Sequence, residues 1–262
     1  MRIGFVGAGR MGAPMVRRLT GAGHQVRVLG RDDEKRAAIA ELGAEPVSSP
    51  REAVEGADVA IVCVFTDEQV RKLCPDLLDA LPEGSILVLH TTGSPRTAEA
   101  LAERGAARGI AVIDAPVSGG PHDIAAGTVT VFAGGPDDAV ARAREVLTAY
   151  ADPVLHVGPV GSGQRVKLVN NALFAAQIGV VAEGVRLGDR LGIDEATLLT
   201  ALTHGSAASR ALGGIAATGS ADAFIERVGE FIGKDVAVVR GTASELNSDL
   251  GRLEALLDAA IK

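Results

Sequence analysis

Between Val166 and Ala182 a single side chain carries a charge, that of Lys167, and Asn170 and Asn171 follow it three and four residues on. At helical spacing the three share one face. An ammonium is costly to bury unless it is hydrogen-bonded, and burial lowers its pKa. A lysine held this way can donate or accept a proton near neutral pH, the work of a general acid or base. A lysine near a helix start can equally run its apolar stem out to water, and these residues alone leave both readings open.

Two glycine-rich stretches offer binding chemistry instead. "GFVGAGRMG" sets Gly7, Gly9 and Gly12 in the order Gly-x-Gly-x-x-Gly, after an apolar run and before a stretch of helical spacing. That pattern allows a tight turn, a close approach to a pyrophosphate, and a helix whose N-terminus faces the phosphate, so the expected ligand is a dinucleotide. The next apolar run, "QVRVLGRDD", ends on Gly30 and Arg31 rather than on the acid that usually holds the ribose hydroxyls of NAD. A guanidinium at this place suits a 2′-phosphate, which favours NADP over NAD. In the competing reading Asp32 or Asp33 takes the hydroxyls and Arg31 is a solvated surface residue. "DAPVSGG", Asp114 to Gly120, closes a further apolar run with a polar loop. There Ser118, Gly119 and Gly120 either aim a hydroxyl and backbone N–H groups at an anion such as a carboxylate or form an ordinary turn.

A regular frame has to carry these residues. Short apolar runs ("IGFVG", "QVRVLG", "ADVAIVCVF", "SILVLHTT", "IAVIDAP") alternate with stretches of helical spacing at Pro14 to Leu19, Asp33 to Leu42, Asp67 to Cys74 and Arg96 to Arg108. Strand and helix in alternation imply a parallel sheet covered on both faces. In such sheets ligands sit at the carboxyl ends of the strands, which is where the "DAPVSGG" loop falls. "TVTVFAGG" and "PVLHVG" add two strands, and after Gly163 no strand-like run recurs. From there the chain reads as helical, broken at "HGSAAS" and at "GGIAATGSAD". The expected fold is α/β: an N-terminal Rossmann-type doubly wound sheet over 1–162, followed by an all-α C-terminal domain over 163–262.

Composition narrows the function classes. Of the 262 residues 47% are hydrophobic, enough for a real core, and the net charge of -7 weighs against a nucleic-acid partner. Cys63 and Cys74 lie in unrelated contexts, which suits a reducing compartment and offers neither a disulfide framework nor metal-ligand spacing. Met1 runs almost directly into "RIGFVG" without a basic region or cleavage site, so a cytoplasmic location is expected. Val166 to Ala182 is the most membrane-like run, but it holds Lys167, Asn170, Asn171 and Gln177 and reads as a helix buried in protein.

In this order the four stretches resemble the β-hydroxyacid dehydrogenase family, which includes 3-hydroxyisobutyrate dehydrogenases, glyoxylate and succinic semialdehyde reductases and, more distantly, 6-phosphogluconate dehydrogenase. "GFVGAGRMGAPMVRRL" resembles its cofactor signature, "DAPVSGG" its substrate loop, "GSGQRVKLVNN" its catalytic helix, and "FIGKDV", with Phe231, Lys234 and Asp235, a late Phe-x-x-Lys-Asp element. The resemblance implies hydride exchange between a nicotinamide cofactor and a small 3-hydroxy acid or its semialdehyde. Lys167 would be the general acid or base and Asn171 would orient the substrate. Ser118, Gly119 and Gly120 would hold the substrate carboxylate, with Asn170, Phe231 and Thr92 also lining its site. Cofactor contacts would come from Gly7, Ala8, Gly9, Arg10, Met11, Gly12, Arg31, Val64, Phe65, Thr92 and Lys234; no metal is called for. A homodimer or larger homo-oligomer is also implied, through the helical domains. Consistent with that, the helix from Val166 carries Val169, Leu173, Phe174, Ile178 and Val181, more apolar faces than one small domain can cover.

The chain departs from the family pattern at "CVFTD", Cys63 to Asp67, where Met-Leu-Pro is common. Thr91 stands for a common serine, Gly93 follows Thr92, and Pro121, His122 and Ile124 occupy places where small residues are usual. The stretch after the Lys-Asp element, Ala243 to Lys262, is shorter than in most members. Two other functions compete. Imine reductases share the architecture but usually place Asp or Tyr where Lys167 stands, and non-catalytic dinucleotide-binding scaffolds typically lose the lysine.

Overall fold

The computed structural model describes residues 1–258, which fall into two compact units, Met1–Lys167 and a second from Leu168 onward. The first is a doubly wound sheet. β1 (Arg2–Val6), β2 (Gln25–Leu29), β3 (Glu45–Val47), β4 (Val59–Val62), β5 (Ile86–Leu89) and β6 (Ala111–Asp114) are joined through α1 (Gly12–Gly21), α2 (Asp33–Glu41), α3 (Pro50–Val54), α4 (Asp67–Ala80) and α5 (Pro95–Ala106). β7 (Val117–Ser118), α6 (Pro121–Ala126), β8 (Val129–Gly134), α7 (Asp137–Leu147) and β9 (Ala151–Gly158) complete it. The strand order is β3-β2-β1-β4-β5-β6-β8-β7, with β9 on β8.

The central strands are apolar at every position because both faces are covered, as parallel strands require. In β5, Ile86 and Val88 enter the core beneath α1, α6 and α7, while Leu87 and Leu89 enter the core beneath α3, α4 and α5. Gly4 in β1 shows how close a helix comes: a Cβ there would lie 2.4 Å from the carbonyl oxygen of Ala53 in α3.

The sheet is mixed, not wholly parallel as the alternation of runs implied: β8 runs antiparallel to β6 and to β7, and β9 parallel to β8. A parallel return needs a crossover of a dozen residues or more, and between β7 and β8 the chain fits only the six residues of α6 and its flanks. Short elements also escaped the sequence reading. β3 has three residues and contains Pro46; α3 has five, started by the Ser49 side chain accepting the Glu52 N–H. α7 was legible in principle, since Ala139, Val140, Ala143, Val146 and Leu147 are buried at helical spacing.

The second unit is all-helical: the greater part of α8 (Ser162–Arg190), then α9 (Glu195–Thr203), α10 (Arg210–Thr218), α11 (Ala221–Glu245) and α12 (Leu253–Asp258). Its core joins Ala172, Ala175, Ala176 and Ile178 of α8 to Leu212 and Ile215 of α10 and to Phe224, Ile225, Ile232, Val236 and Val239 of α11. The stretch "GGIAATGSAD" is less of a break than its glycines suggested. Gly213 to Thr218 lie inside α10, and only Gly219, at φ +83, ends it. By length and composition α8 meets the requirement for a membrane-crossing helix, as the core helix of a helical domain also does.

Candidate active site

The turn after β1 sits where the strand order reverses between β1 and β4, the place where open α/β sheets bind ligands. Gly7 has φ +106, and a Cβ on it would lie 2.2 Å from the carbonyl oxygen of Cys63 just beyond β4. A Cβ on Gly12 would lie 2.1 Å from the carbonyl oxygen of Gly7 and 2.9 Å from the Phe5 ring, so α1 packs onto the strand only because that residue has no side chain. Gly9 differs, since nothing stands within 4 Å of where its Cβ would be. Two of the three glycines therefore answer to the protein's own packing, and the third keeps open the space in front of α1 that a pyrophosphate fits. Gly9 and Arg10 are exposed there, and Gly7, Ala8 and Met11 are half-buried.

Beyond β2, Arg31 is exposed, while both neighbouring acids are engaged in the first turn of α2. Asp32 caps that helix, accepting the backbone N–H of Lys35 at 2.8 Å and its ammonium at 2.8 Å. Those hydrogen bonds hold its carboxyl below the usual range. Asp33 pairs with Arg36 at 2.6 Å.

The ends of β4 and β5 are tied by Thr91. Its hydroxyl donates to the carbonyl of Val64 and accepts the N–H of Val64, both at 3.0 Å. Thr92 next to it is half-buried, and Phe65 is exposed. Gln69 takes the N–H groups of Phe65 and Thr66 at 2.9 and 3.1 Å, starting α4 with a capping box.

After β6, Ser118 lies in β7 opposite Thr130, and Gly119 has φ +137. Gly120 starts α6, and its N–H donates to the chain's own Asp123 carboxylate at 2.7 Å. The loop thus sets the Ser118 hydroxyl and the Gly119 backbone beside a built-in carboxylate, an arrangement the motif alone did not disclose.

Lys167 and Asn171 lie one turn apart on α8, 9% and 5% exposed, and the half-buried Asn170 donates its side-chain amide to Asn171 Oδ1 at 3.2 Å. Phe231, Lys234 and Asp235 share a face of α11 in the helical unit; Phe231 is exposed and the other two are half-buried.

Several buried polar residues around these motifs were not read from the sequence. Asp114, wholly buried at the end of β6, accepts two backbone N–H groups at the start of α8. His90 follows β5. Its Nδ1 donates to the Ala115 carbonyl at 2.6 Å, and its Nε2 accepts the Tyr150 hydroxyl at 2.7 Å, the tautomer being dictated by a carbonyl that can only accept. Burial pushes the pKa of His90 down to about 4, so the ring is neutral, and raises that of Tyr150 well above its ordinary value. The available signal was a polar residue closing an apolar run, as in "AVID" and "ILVLH". Among the described residues no cluster of three or more His, Cys, Asp or Glu side chains could hold a metal ion.

A strand order that reverses beside a glycine turn with one open position defines a dinucleotide-binding class of α/β protein. Residues 2–158 match the family model for the NAD binding domain of 6-phosphogluconate dehydrogenase. Residues 161–257 match the model for the NAD-binding region of NADP-dependent 3-hydroxyisobutyrate dehydrogenase. The chain is 36% identical to a 3-hydroxyisobutyrate dehydrogenase of Pseudomonas aeruginosa over 213 residues, 80% of this chain and 72% of that one. It is 35% identical to an NAD-dependent L-serine dehydrogenase of the same organism, with the same shares covered. The structure of a Mycobacterium tuberculosis 3-hydroxyisobutyrate dehydrogenase with L-serine superposes with a TM-score of 0.89 at 29% identity, covering 98% of this chain and 91% of that one. An imine reductase from a Pseudomonas species, at 19% identity and a TM-score of 0.66, shares the fold alone. The chain belongs to the β-hydroxyacid dehydrogenase family and is an NAD(P)-dependent hydroxyacid dehydrogenase.

Proposed function

We propose that this enzyme interconverts a small 3-hydroxy acid and the corresponding semialdehyde, with Lys167 as the proton-transfer group. The observation that carries this reading is the buried Lys167 on α8, with buried Asn171 one turn on. The named substrates of the two Pseudomonas aeruginosa relatives, 3-hydroxyisobutyrate and L-serine, both carry a hydroxyl on the third carbon of a carboxylic acid. When bound, the nicotinamide supplies or accepts the hydride. In reduction Lys167 Nζ gives a proton to the carbonyl oxygen as negative charge develops there, and in oxidation it removes the hydroxyl proton. Asn171, steadied by the Asn170 amide, orients the reacting oxygen. The Ser118 hydroxyl and the Gly119 backbone receive the substrate carboxylate, and Thr92 completes its surroundings. Gly7 to Gly12, Val64 and Phe65 attend the cofactor.

NADP is the preferred cofactor in this reading. In support, Arg31 is exposed just beyond β2, where its guanidinium suits a 2′-phosphate, and Asp32 and Asp33 are both engaged at the start of α2. The free thiols Cys63 and Cys74 suit a cytoplasmic setting.

Lys167→Met keeps the length and apolar character of the side chain and removes the proton. Folding and NADPH binding should survive, while kcat with the best of a panel of semialdehydes, glyoxylate and 3-hydroxy acids should fall about a hundredfold or more. Lys167→Arg should be nearly as damaging, since a guanidinium keeps its proton. Near-wild-type turnover by Lys167→Met would sink the reading and favour a scaffold or a water-mediated reaction.

A further inference from the structure

Three segments distant in sequence meet at the first turn of α8. The carboxylate of Asp114 accepts the Gly161 N–H at 2.6 Å on Oδ1 and the Gln164 N–H at 2.7 Å on Oδ2. A carboxylate at the start of a helix satisfies donors that have no partner within the helix and is favoured by the helix dipole. Bonds of this charge-assisted kind are among the stronger ones available. The Gln164 side chain then reaches the loop after β5: its Nε2 donates to the Thr91 carbonyl at 2.8 Å, and its Oε1 accepts the Gly93 N–H at 3.0 Å. These two backbone groups flank Thr92. Both Asp114 and Gln164 are buried, at 0% and 3% exposure.

The seat has no slack. A Cβ on Gly163 would lie 2.4 Å from the Phe132 carbonyl oxygen and 2.9 Å from Asp114 Oδ2, and one on Gly134 would lie 2.6 Å from Asp114 Oδ1. The start of α8 therefore rests directly on the backbone of β6 and β8. Arg165 is a charged neighbour of Asp114 and is itself paired with Glu99 at 2.6 Å. Lys167 follows Gln164 by three residues, on the same side of the helix.

We propose that Asp114 and Gln164 are positioning residues for the reaction: together they lock the rotation and height of the first turn of α8 against the Thr92 loop, and so set where the Lys167 ammonium stands. The inference rests on the reading of Lys167 as the proton-transfer group. Neither residue takes part in proton or hydride transfer. Their effect is geometric, and displacement of a catalytic group by about 1 Å is enough to cost about a hundredfold in rate.

The test is steady-state kinetics on Asp114→Asn, Gln164→Met and Lys167→Met, and on each of the first two combined with the third. NADPH binding is followed by fluorescence and folding by thermal denaturation. Asp114→Asn puts an amide donor against one of the two N–H groups, and Gln164→Met removes both side-chain bonds without adding a buried charge. Each should lower kcat about ten- to a hundredfold while KM and the NADPH Kd move by about twofold or less. In the Lys167→Met background each should add less than about twofold, because residues acting through one group are not additive. Should Asp114→Asn fail to fold, Gln164→Met decides by the same two measures. A folded variant with unchanged kcat beside an impaired Lys167→Met overturns this inference and leaves the role of Lys167 standing. A loss that multiplies fully onto Lys167→Met, or one confined to KM, also overturns it. Near-wild-type turnover by Lys167→Met removes both.

Discussion

Arg31 stands exposed one residue before the Asp32 cap of α2. A guanidinium is always charged and offers a fork of donors that matches phosphate oxygens. Asp32 would have to give up the Lys35 N–H and ammonium, both at 2.8 Å, to reach ribose hydroxyls. The cost of unmaking those bonds favours leaving Asp32 where it is. NADPH should therefore bind more tightly than NADH. Arg31→Ala should weaken NADPH by about tenfold or more, the size expected for losing a hydrogen bond to a charged group, and leave NADH almost unchanged. Fluorescence titration of both cofactors against both proteins is the check, and a wild-type preference for NADH would return the 2′ position to one of the acids.

At the scale of elements, His90 and Asp114 close adjacent strands β5 and β6, and both are buried ionisable groups whose titrations pull stability in opposite directions. Burial holds the His90 ring neutral with its pKa near 4, while the unfolded chain takes up a proton below about 6.5. Stability from this group is lost as the pH falls from 6.5 toward 4, about 3 kcal/mol in all. For Asp114, burial pushes the pKa up to about 6, against the backbone N–H groups of Gly161 and Gln164 that pull it down. Stability from this group is present below the ordinary carboxylate value and lost as the pH rises through 6. Over pH 4–6 the two nearly offset each other. His90→Gln, which can still donate to the Ala115 carbonyl and accept from Tyr150, removes only the histidine contribution. The stability advantage of wild type over His90→Gln should then shrink by about 2–3 kcal/mol between pH 7 and pH 4.5 in denaturant titrations. An advantage that stays constant would mean that His90 titrates normally.

For the whole molecule, the outward face of α8 is the feature that a single chain does not explain. Val169, Leu173, Val180 and Leu187 are between 45% and 56% exposed, the uncovered apolar surface that the residues from Val166 onward led one to expect. Leu173, Val180 and Leu187 recur every seven residues, the spacing of a seam between packed helices. An exposed apolar stripe of this kind marks an interaction surface, and we propose that a second copy of this chain covers it. Light scattering at micromolar concentration should return at least twice the chain mass. The double substitution Val180→Glu, Leu187→Glu should reduce it to the monomer by burying like charges across the seam. A monomeric wild type at that concentration would rule the assembly out.

Local rules made much of this legible. The turn of Gly7, Gly9 and Gly12, the apolar runs of β1, β4, β5 and β6 and the amphipathic spacing of α1 and α5 follow from neighbours a few residues apart, so the doubly wound sheet and the all-helical second part could be read off residue order. The same order overstated the break at Gly213 to Thr218, because a glycine that packs harmlessly inside a helix looks like one that ends it. It could not show that β8 turns antiparallel, since direction depends on which strand the chain finds beside it. The seat of α8 was likewise hidden: Asp114 meets Gly161 and Gln164 from 47 and 50 residues away, and Gln164 meets Gly93 from 71. Chemical type is a property of a residue and pattern a property of a segment, and both are written in the sequence. Which distant donor meets a buried carboxylate, and which apolar face is left uncovered, depend on close packing between segments, and only the tertiary structure decides them.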